Sequence, residues 1–314
     1  MKKIGAFFKL VRWPNMLITA LTMCLVWHCI MSVPSTLAFT LLVIAMVLIQ
    51  AGGYVINDIF DMDIDAINKP DKRIVGKIFT ERQAKLYYIA LTIIGLGCGL
   101  AASIMANGKN FYTIFAALIL LACFLYSYSS RYKKELVIGN LIVSLSVAFA
   151  VFLPWLFQVL SMLGDQEMLL ENQEWMHVTL HIVLIYTVFA FMMTLIREII
   201  KDMEDVKGDG RSHCRTIPIV WGMNAAQIIV LILCCLTFLM ICYAESYLNN
   251  EFGLKITSYM LYASGLLLVF VVMTNNLYTL ISNKDGRTVK MFHFQSIVMK
   301  ISMLIGVLSM VFIK

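Results

Sequence analysis

The sequence contains little charge: only 14% of its 314 residues are Asp, Glu, Lys or Arg, whereas 61% are hydrophobic. Because soluble domains contain about 25% charged residues, this composition excludes a soluble globular enzyme, a disordered chain and a nucleic-acid-binding module. The eight cysteines form no Cys-x-x-Cys pair and no metal-binding spacing, which indicates buried thiols rather than a disulfide framework. The first apolar segment is preceded by basic residues but lacks an Ala-x-Ala cleavage site, so we interpret it as a membrane span. The sequence therefore predicts an integral membrane protein.

Apolar segments long enough to cross a bilayer recur along the whole chain. A helix needs about 20 apolar residues to cross the hydrocarbon core, and the alternation typical of a membrane β-barrel is missing from the sequence. We therefore predict an all-α, polytopic membrane protein with about nine transmembrane helices in one bundle, forming a single domain over residues 1–314. The predicted spans cover residues 14–31, 36–56, 83–105, 111–127, 136–160, 176–196, 223–244, 256–281 and 291–313.

The basic residues are distributed unevenly over the connections between these spans. Twenty of the 25 Lys and Arg residues lie in connections on the N-terminal side of the membrane, and three lie on the opposite side. Cytoplasmic loops carry such an excess, so we expect a multi-pass protein of the cell (inner or plasma) membrane with its N-terminus in the cytoplasm. Two of these basic connections also contain groups of acidic residues. We expect the active site there, on the cytoplasmic side.

The first acidic cluster follows the second predicted span, and the second acidic cluster follows the sixth. At 100° per residue, the oxygen-bearing side chains of each cluster share one side of a helix, whereas Asp63 points away from the first cluster. For the second cluster this requires a helix that continues as far as Gly208. The first acidic cluster consists of Asn57, Asp58, Asp61 and Asp65, and the second consists of Asp202, Asp205 and Asp209.

Carboxylates with this spacing destabilise a helix near the membrane unless a cation compensates them. Oxygen ligands favour Mg²⁺, which binds one or two carboxylates together with substrate phosphate groups. We therefore expect the two clusters to face each other and to hold a diphosphate through Mg²⁺, with neighbouring basic residues covering its remaining charge. A single acidic run at a helix end is usually a solvated terminus, but its repetition on one side of the membrane favours metal binding.

The two clusters resemble the two signatures of the UbiA superfamily of intramembrane prenyltransferases. Residues 57–65 match the pattern N-D-x-x-D-x-x-x-D, and residues 202–209 match D-x-x-D-x-x-x-D. The resemblance covers essentially the whole chain and implies a UbiA-like bundle that binds a polyprenyl diphosphate through Mg²⁺, with the prenyl tail running into the membrane between helices and membrane lipids as further partners. It also implies that the diphosphate departs to give an allylic cation-like species, which an acceptor nucleophile then attacks at C1.

The resemblance further implies roles for individual residues. All seven residues of the two clusters would be metal ligands. Segments rich in Lys and Arg near the clusters are similar to those of the family, although lysines replace two arginines in residues 68–77. The catalytic residues would be Asp61, Asp65, Asp205 and Lys133. The substrate-binding residues would be Arg12, Asn15, Lys69, Lys72, Arg73, Lys133, Lys134, Arg197 and Lys201.

The residues around the second cluster bear on the acceptor. The string K-D-M-E-D-V-K-G-D at residues 201–209 resembles family members that make ether lipids and also homogentisate-type relatives. The segment R-W-P-N at residues 12–15 resembles the ether-lipid members. We therefore predict transfer of a geranylgeranyl-type group to the hydroxyl of a prenylglycerol phosphate, a step of phospholipid biosynthesis. The alternative within the family is an aromatic acceptor of the 4-hydroxybenzoate, dihydroxynaphthoate or homogentisate type. A divalent-cation transporter is a further alternative, but the basic residues would repel its cargo.

Overall fold

The computed structural model describes residues 2–30, 36–68, 73–107, 110–163, 165–211, 214–253, 272 and 285–312. Most of these residues are helical, and no β-strand occurs among them. Short 3₁₀ turns cover Tyr132–Lys134 and Ser309–Phe312. The helices are α1 (Lys2–Leu10), α2 (Trp13–Ile30), α3 (Thr36–Phe60), α4 (Met62–Asn68), α5 (Glu81–Asn107), α6 (Phe111–Ser130), α7 (Ile138–Met162), α8 (Gln166–Glu171), α9 (Gln173–Arg211), α10 (Ile217–Val220), α11 (Met223–Phe252) and α12 (Asp285–Leu308).

Seven of the described helices contain a segment long and apolar enough to cross a membrane: α3, α5, α6, α7, α9, α11 and α12. Helices α1 and α2 meet at a bend of 53° and count as an eighth span if the bent pair crosses together. The prediction of an all-α membrane protein is thus confirmed, with about nine spans as an approximate count. The predicted span over residues 256–281 lies outside the described residues, apart from the buried Val272.

The chain divides into two compact units. The first unit comprises Met1–Lys133 and Ala150–Leu180, and the second comprises Lys134–Phe149 and His181–Lys314. The first acidic cluster belongs to the first unit and the second acidic cluster to the second unit. The single domain over residues 1–314 stays a prediction.

In the first unit, glycines bring α3 and α5 close together. A Cβ atom added at Gly52 would lie 2.8 Å from the Thr92 hydroxyl oxygen, and one added at Gly95 would lie 3.0 Å from Cγ1 of Ile49. Small residues allow membrane helices to approach until their backbones pack, which is a principal source of helix association in lipid. This packing holds α3, at whose C-terminal end the first acidic cluster begins.

The short helix α1 packs against the same end of α3. Its buried residues Ala6 and Leu10 belong to one apolar core with Val55 and Ile59 of α3 and with Phe79 of the following connection. Burial of apolar side chains in this core stabilises the bend between α1 and α2. The basic residue Arg12 lies at that bend.

In the second unit, α12 packs antiparallel along α9. The Tyr186 hydroxyl hydrogen-bonds the Ser309 hydroxyl at 2.8 Å, and the Phe189 ring contacts the backbone of Gly306 so closely that a Cβ would not fit there. Further along, His293 Nδ1 lies 2.9 Å from Glu204 Oε1. These contacts extend over 18 residues of α9, or roughly 27 Å at 1.5 Å per residue, and they support the helix that carries the second acidic cluster.

Candidate active site

The first acidic cluster lies where α3 ends and α4 begins. The backbone hydrogen bonds continue across this joint, because Asp61 N donates to Asn57 O at 2.9 Å and Asp65 N donates to Asp61 O at 2.8 Å. Asn57 and Asp61 are buried, Asp58 and Asp65 are half-buried, and Asp63 is exposed. The burial pattern therefore agrees with a helical arrangement in which four oxygen-bearing residues face inward.

Two cations from distant parts of the chain reach this cluster. The Lys133 ammonium forms an ion pair with Oδ2 of Asp61, which also accepts a hydrogen bond of 2.7 Å from the Asn57 amide. The Arg12 guanidinium lies 3.4 Å from Oδ1 of Asp58. The fold thus brings together five predicted site residues, and it places positive charge beside the carboxylates. These residues are Arg12, Asn57, Asp58, Asp61 and Lys133.

The other basic candidates near the first cluster have different positions. Asn15 donates its amide to the Tyr54 hydroxyl at 3.0 Å rather than to a carboxylate. Arg73 donates to the Gly76 carbonyl at 3.4 Å, and its buried Nε has no hydrogen-bond partner among the described residues. Gly76 adopts a φ of +81°, which suits glycine in this tight turn. Lys69 and Lys72 lie outside the described residues.

The second acidic cluster lies in the last three turns of α9, which continues without interruption to Arg211. The continuity that the predicted one-sided arrangement requires is therefore present. Asp202, Asp205 and Asp209 are all half-buried. The amide of Asn140, near the start of α7, donates to Oδ2 of Asp202 at 2.8 Å.

The basic residues of the second cluster surround a glutamate. Arg197 Nη1 lies 2.6 Å from Oε1 of the buried Glu198, and Lys201 Nζ lies 3.9 Å from its Oε2. The Arg197 Nε is buried, and no hydrogen-bond partner for it occurs in the part of the chain that the structure describes. Lys134 is exposed, and its backbone carbonyl accepts a hydrogen bond from the Arg215 N–H at 2.9 Å. The expectation that the two clusters face each other stays a prediction.

Sequence reasoning missed two residues of these clusters, Asn140 and Tyr54. Asn140 is a polar residue in an otherwise apolar helix start, and Tyr54 precedes Asp58 by one helical turn. Only the spacing of Tyr54 from Asp58 is visible in the sequence, and the partners of both residues are set by tertiary packing.

The donor chemistry of both clusters fits Mg²⁺. Within the described residues no three His, Cys, Asp or Glu side chains form a ready metal cage. Mg²⁺ does not require one, since it keeps several waters and binds one or two carboxylates together with substrate phosphate oxygens. Asp61 and Asp202 each present a buried or half-buried carboxylate of that kind, which hard oxygen ligation favours.

Comparison with known proteins agrees with this chemistry. Residues 16–297 match the UbiA prenyltransferase family. A protein of Sulfurisphaera tokodaii named Digeranylgeranylglyceryl phosphate synthase is 31% identical over 274 residues, covering 86% of this chain and 86% of the relative. A protein of the same name from Saccharolobus solfataricus is 36% identical over 186 residues, covering 59% of this chain and 57% of the relative.

The fold is similar to that of solved structures over nearly the whole chain. The structure of a UbiA homolog from Archaeoglobus fulgidus bound to GPP and Mg²⁺ aligns with a TM-score of 0.61 and 18% identity. The alignment covers 97% of this chain and 99% of that one. At this identity the likeness concerns the fold, and it confirms the helical architecture.

Proposed function

The chain belongs to the UbiA prenyltransferase family, and we propose that it transfers a geranylgeranyl-type group to a prenylglycerol phosphate, forming an ether lipid. In this reaction the bond between C1 and oxygen of the polyprenyl diphosphate breaks and the diphosphate leaves. The acceptor hydroxyl oxygen then bonds to C1 and loses its proton. The observation that carries the proposal is the complete pair of acidic clusters in a chain whose relatives are named Digeranylgeranylglyceryl phosphate synthase.

Both clusters would hold the divalent metal. The ligands would come from Asn57, Asp58, Asp61 and Asp65 in the first cluster and from Asp202, Asp205 and Asp209 in the second. Bound Mg²⁺ would supply positive charge for the diphosphate, in keeping with the Mg²⁺ and GPP bound by the Archaeoglobus homolog. We assign catalytic roles to Asp61, Asp65 and Asp205 within these sets.

The basic residues would bind the phosphate oxygens and stabilise the leaving group. Lys133 is half-buried beside Asp61, and an ammonium fixed at the point where negative charge develops lowers the barrier to departure. Arg12 can offer two parallel N–H donors to a phosphate. The other phosphate-binding candidates are Asn15, Lys69, Lys72, Arg73, Lys134, Arg197 and Lys201.

We place the reaction at the cytoplasmic face of the membrane, within one prenyltransferase domain that covers residues 1–314. Support for this orientation comes from the excess of Lys and Arg in the connections on the N-terminal side. A site at the interface suits the substrates, since the prenyl tail of the donor stays in lipid while its diphosphate meets water. The variants Lys3→Cys and Lys77→Cys each place a cysteine at an exposed position. Comparing the labelling of these cysteines in intact cells and in lysed cells tests this orientation.

A transfer assay tests the proposed reaction directly. The purified protein in detergent receives radiolabelled geranylgeranyl diphosphate, MgCl₂ and one acceptor at a time. The acceptors are geranylgeranylglyceryl phosphate, 4-hydroxybenzoate, dihydroxynaphthoate and homogentisate. We expect label in the ether-lipid product, and we expect Asp61→Asn and Asp205→Asn to lose that transfer, because each keeps the side-chain volume but loses a charged ligand.

The other outcomes contradict separate parts of the proposal. Label in an aromatic product would keep the prenyltransferase chemistry and overturn the acceptor. Full activity in either variant would overturn the metal-ligand assignment. Magnesium flux into liposomes without any prenyl transfer would show that the protein is a cation transporter and overturn the enzyme assignment.

A further inference from the structure

A line of polar side chains joins α3 to the bend and the first turns of α2. On α3 these side chains recur every fourth residue, so they lie on one side of the helix and point to the same neighbour. The partners on the other side recur every three or four residues. We call this set the polar ladder; its pairs are Asp58 with Arg12, Tyr54 with Asn15, and Gln50 with Thr19.

The polar ladder runs from the first acidic cluster into the membrane span. Its pairs have distances of 3.4 Å, 3.0 Å and 2.8 Å in that order. Eight residues of α3 correspond to roughly 12 Å along the helix axis. Polar side chains within a membrane span are costly and usually serve a function, and hydrogen bonds between helices add only modest stability. For the two pairs nearest the cluster, the cost therefore indicates a role beyond holding two helices together.

Tyr54 is the middle residue of the polar ladder on α3, and it contacts the substrate-binding candidates Arg12 and Asn15. Its hydroxyl accepts the hydrogen bond from Asn15, and its ring lies under the Arg12 guanidinium, 4.6 Å from ring centroid to Cζ. A cation–π contact of this kind fixes the plane of the guanidinium. Tyr54 therefore joins the side chains of Arg12 and Asn15 through one ring and one hydroxyl.

The backbone of Arg12 adopts an unusual conformation that also indicates a functional position. Its φ is +51°, in the left-handed region that residues other than glycine, asparagine and aspartate rarely adopt. Such a conformation persists where surrounding contacts determine it, and it is frequent at ligand sites. The Arg12 side chain is 40% exposed, whereas its partner Asp58 is 17% exposed. The guanidinium is thus accessible to a ligand from outside the cluster.

We propose that Tyr54 is a positioning residue that holds Arg12 and Asn15 at the first acidic cluster, where they bind a phosphate oxygen of a substrate. This inference rests on the proposed prenyl transfer, in which both the donor diphosphate and the acceptor phosphomonoester carry such oxygens. A guanidinium held in one plane binds phosphate through two parallel hydrogen bonds, which a freely rotating cation does not achieve.

The test measures kcat and the two KM values of Tyr54 variants. Tyr54→Phe keeps the ring under Arg12 and removes the hydroxyl, so we expect the KM of one phosphate substrate to rise about 5- to 10-fold, the effect of one lost hydrogen bond. We expect kcat to stay within about twofold, and Tyr54→Leu, which also removes the ring, to raise the same KM further. Whether the donor or the acceptor KM rises identifies the phosphate that is bound.

A double-mutant cycle separates positioning from a general loss of packing. If the Tyr54 hydroxyl acts through Asn15, Tyr54→Phe has no further effect in the Asn15→Ala background. The matched control is the double variant Thr19→Val and Gln50→Leu, which replaces the ladder pair farthest from the cluster by apolar groups. Since both partners become apolar there, we expect little loss of stability and unchanged KM values.

Three results decide the matter. Wild-type KM values in Tyr54→Phe and Tyr54→Leu, or additive effects in the cycle, would overturn the positioning role. Equal increases in the Thr19 and Gln50 control would assign the ladder to helix packing alone. If the wild-type protein transfers no prenyl group, the proposed function fails by itself. The affinities for inorganic pyrophosphate and glycerol 1-phosphate are then measured in place of KM. Weaker binding by Tyr54→Phe supports the positioning role, and unchanged binding overturns it.

Discussion

Replacing Asn140 by aspartate tests metal binding at the second acidic cluster. In the structure the Asn140 amide donates a 2.8 Å hydrogen bond to Asp202, so Asn140→Asp places a second carboxylate against the first. Two like charges 4 Å apart repel each other by about 4 kcal/mol at an effective dielectric constant of about 20. We expect the variant to unfold at a lower temperature than the wild-type protein in EDTA. We expect added MgCl₂ to restore much of that loss, because a divalent cation offsets the repulsion.

Asn140→Leu is the matched control for this experiment. It loses the same hydrogen bond, at a cost of about 1–3 kcal/mol, without adding charge. Thermal unfolding of the detergent-solubilised proteins is followed over a series of MgCl₂ concentrations at constant ionic strength. The deficit of Asn140→Asp should shrink along the series, while that of Asn140→Leu should stay constant. Equal deficits for Asn140→Asp at all MgCl₂ concentrations would refute metal binding at Asp202.

Three further predictions concern charge, metal and packing. Lys133→Met should lose most of the transfer rate, whereas Lys133→Arg should keep part of it, because Lys133 provides positive charge beside Asp61; equal initial rates would contradict this role. Chelation with EDTA should abolish transfer and MgCl₂ should restore it, and activity that persists in EDTA would exclude a metal requirement. Gly95→Val should lower the midpoint of thermal unfolding, since a Cβ there would lie 3.0 Å from Ile49 and overpacking costs about 1–3 kcal/mol. Gly97→Ala should not, since a Cβ there meets no described atom within 4 Å.

The sequence predicts the membrane helices well but not their ends. The predicted spans 111–127 and 223–244 begin at the first residues of α6 and α11, yet both helices continue past the apolar segment. For α9 the difference is large, since residues 176–196 are predicted and the helix covers Gln173–Arg211. Hydropathy reflects the free energy of transferring side chains into hydrocarbon, whereas a helix ends where its backbone hydrogen bonds end. The polar continuation of α9 is the part that carries the second cluster.

The same distinction explains what could be predicted of the site. The one-sided arrangement of the first cluster depends only on the local helical repeat, so spacing is sufficient to predict it. The partners of Asp61 and Asp202 are Lys133 and Asn140, which are 72 and 62 residues away in the chain. Such pairs are set by the packing of whole helices, which a single sequence does not specify. The family resemblance predicts Lys133 as a site residue, whereas no feature of the sequence predicts a site role for Asn140.

The location of both clusters gives a physical reason for a bound cation. Asp58 lies in the last turn of α3 and Asp209 in the last turn of α9. The carboxyl end of a helix carries partial negative charge, so Asp209 at the end of α9 costs about 0.3–1 kcal/mol, and the carboxylates of both clusters carry the cost of charge near lipid. Like charges one turn apart add to this cost in both clusters. The same unfavourable arrangement occurs twice, which supports the proposal that a divalent cation with its diphosphate offsets it.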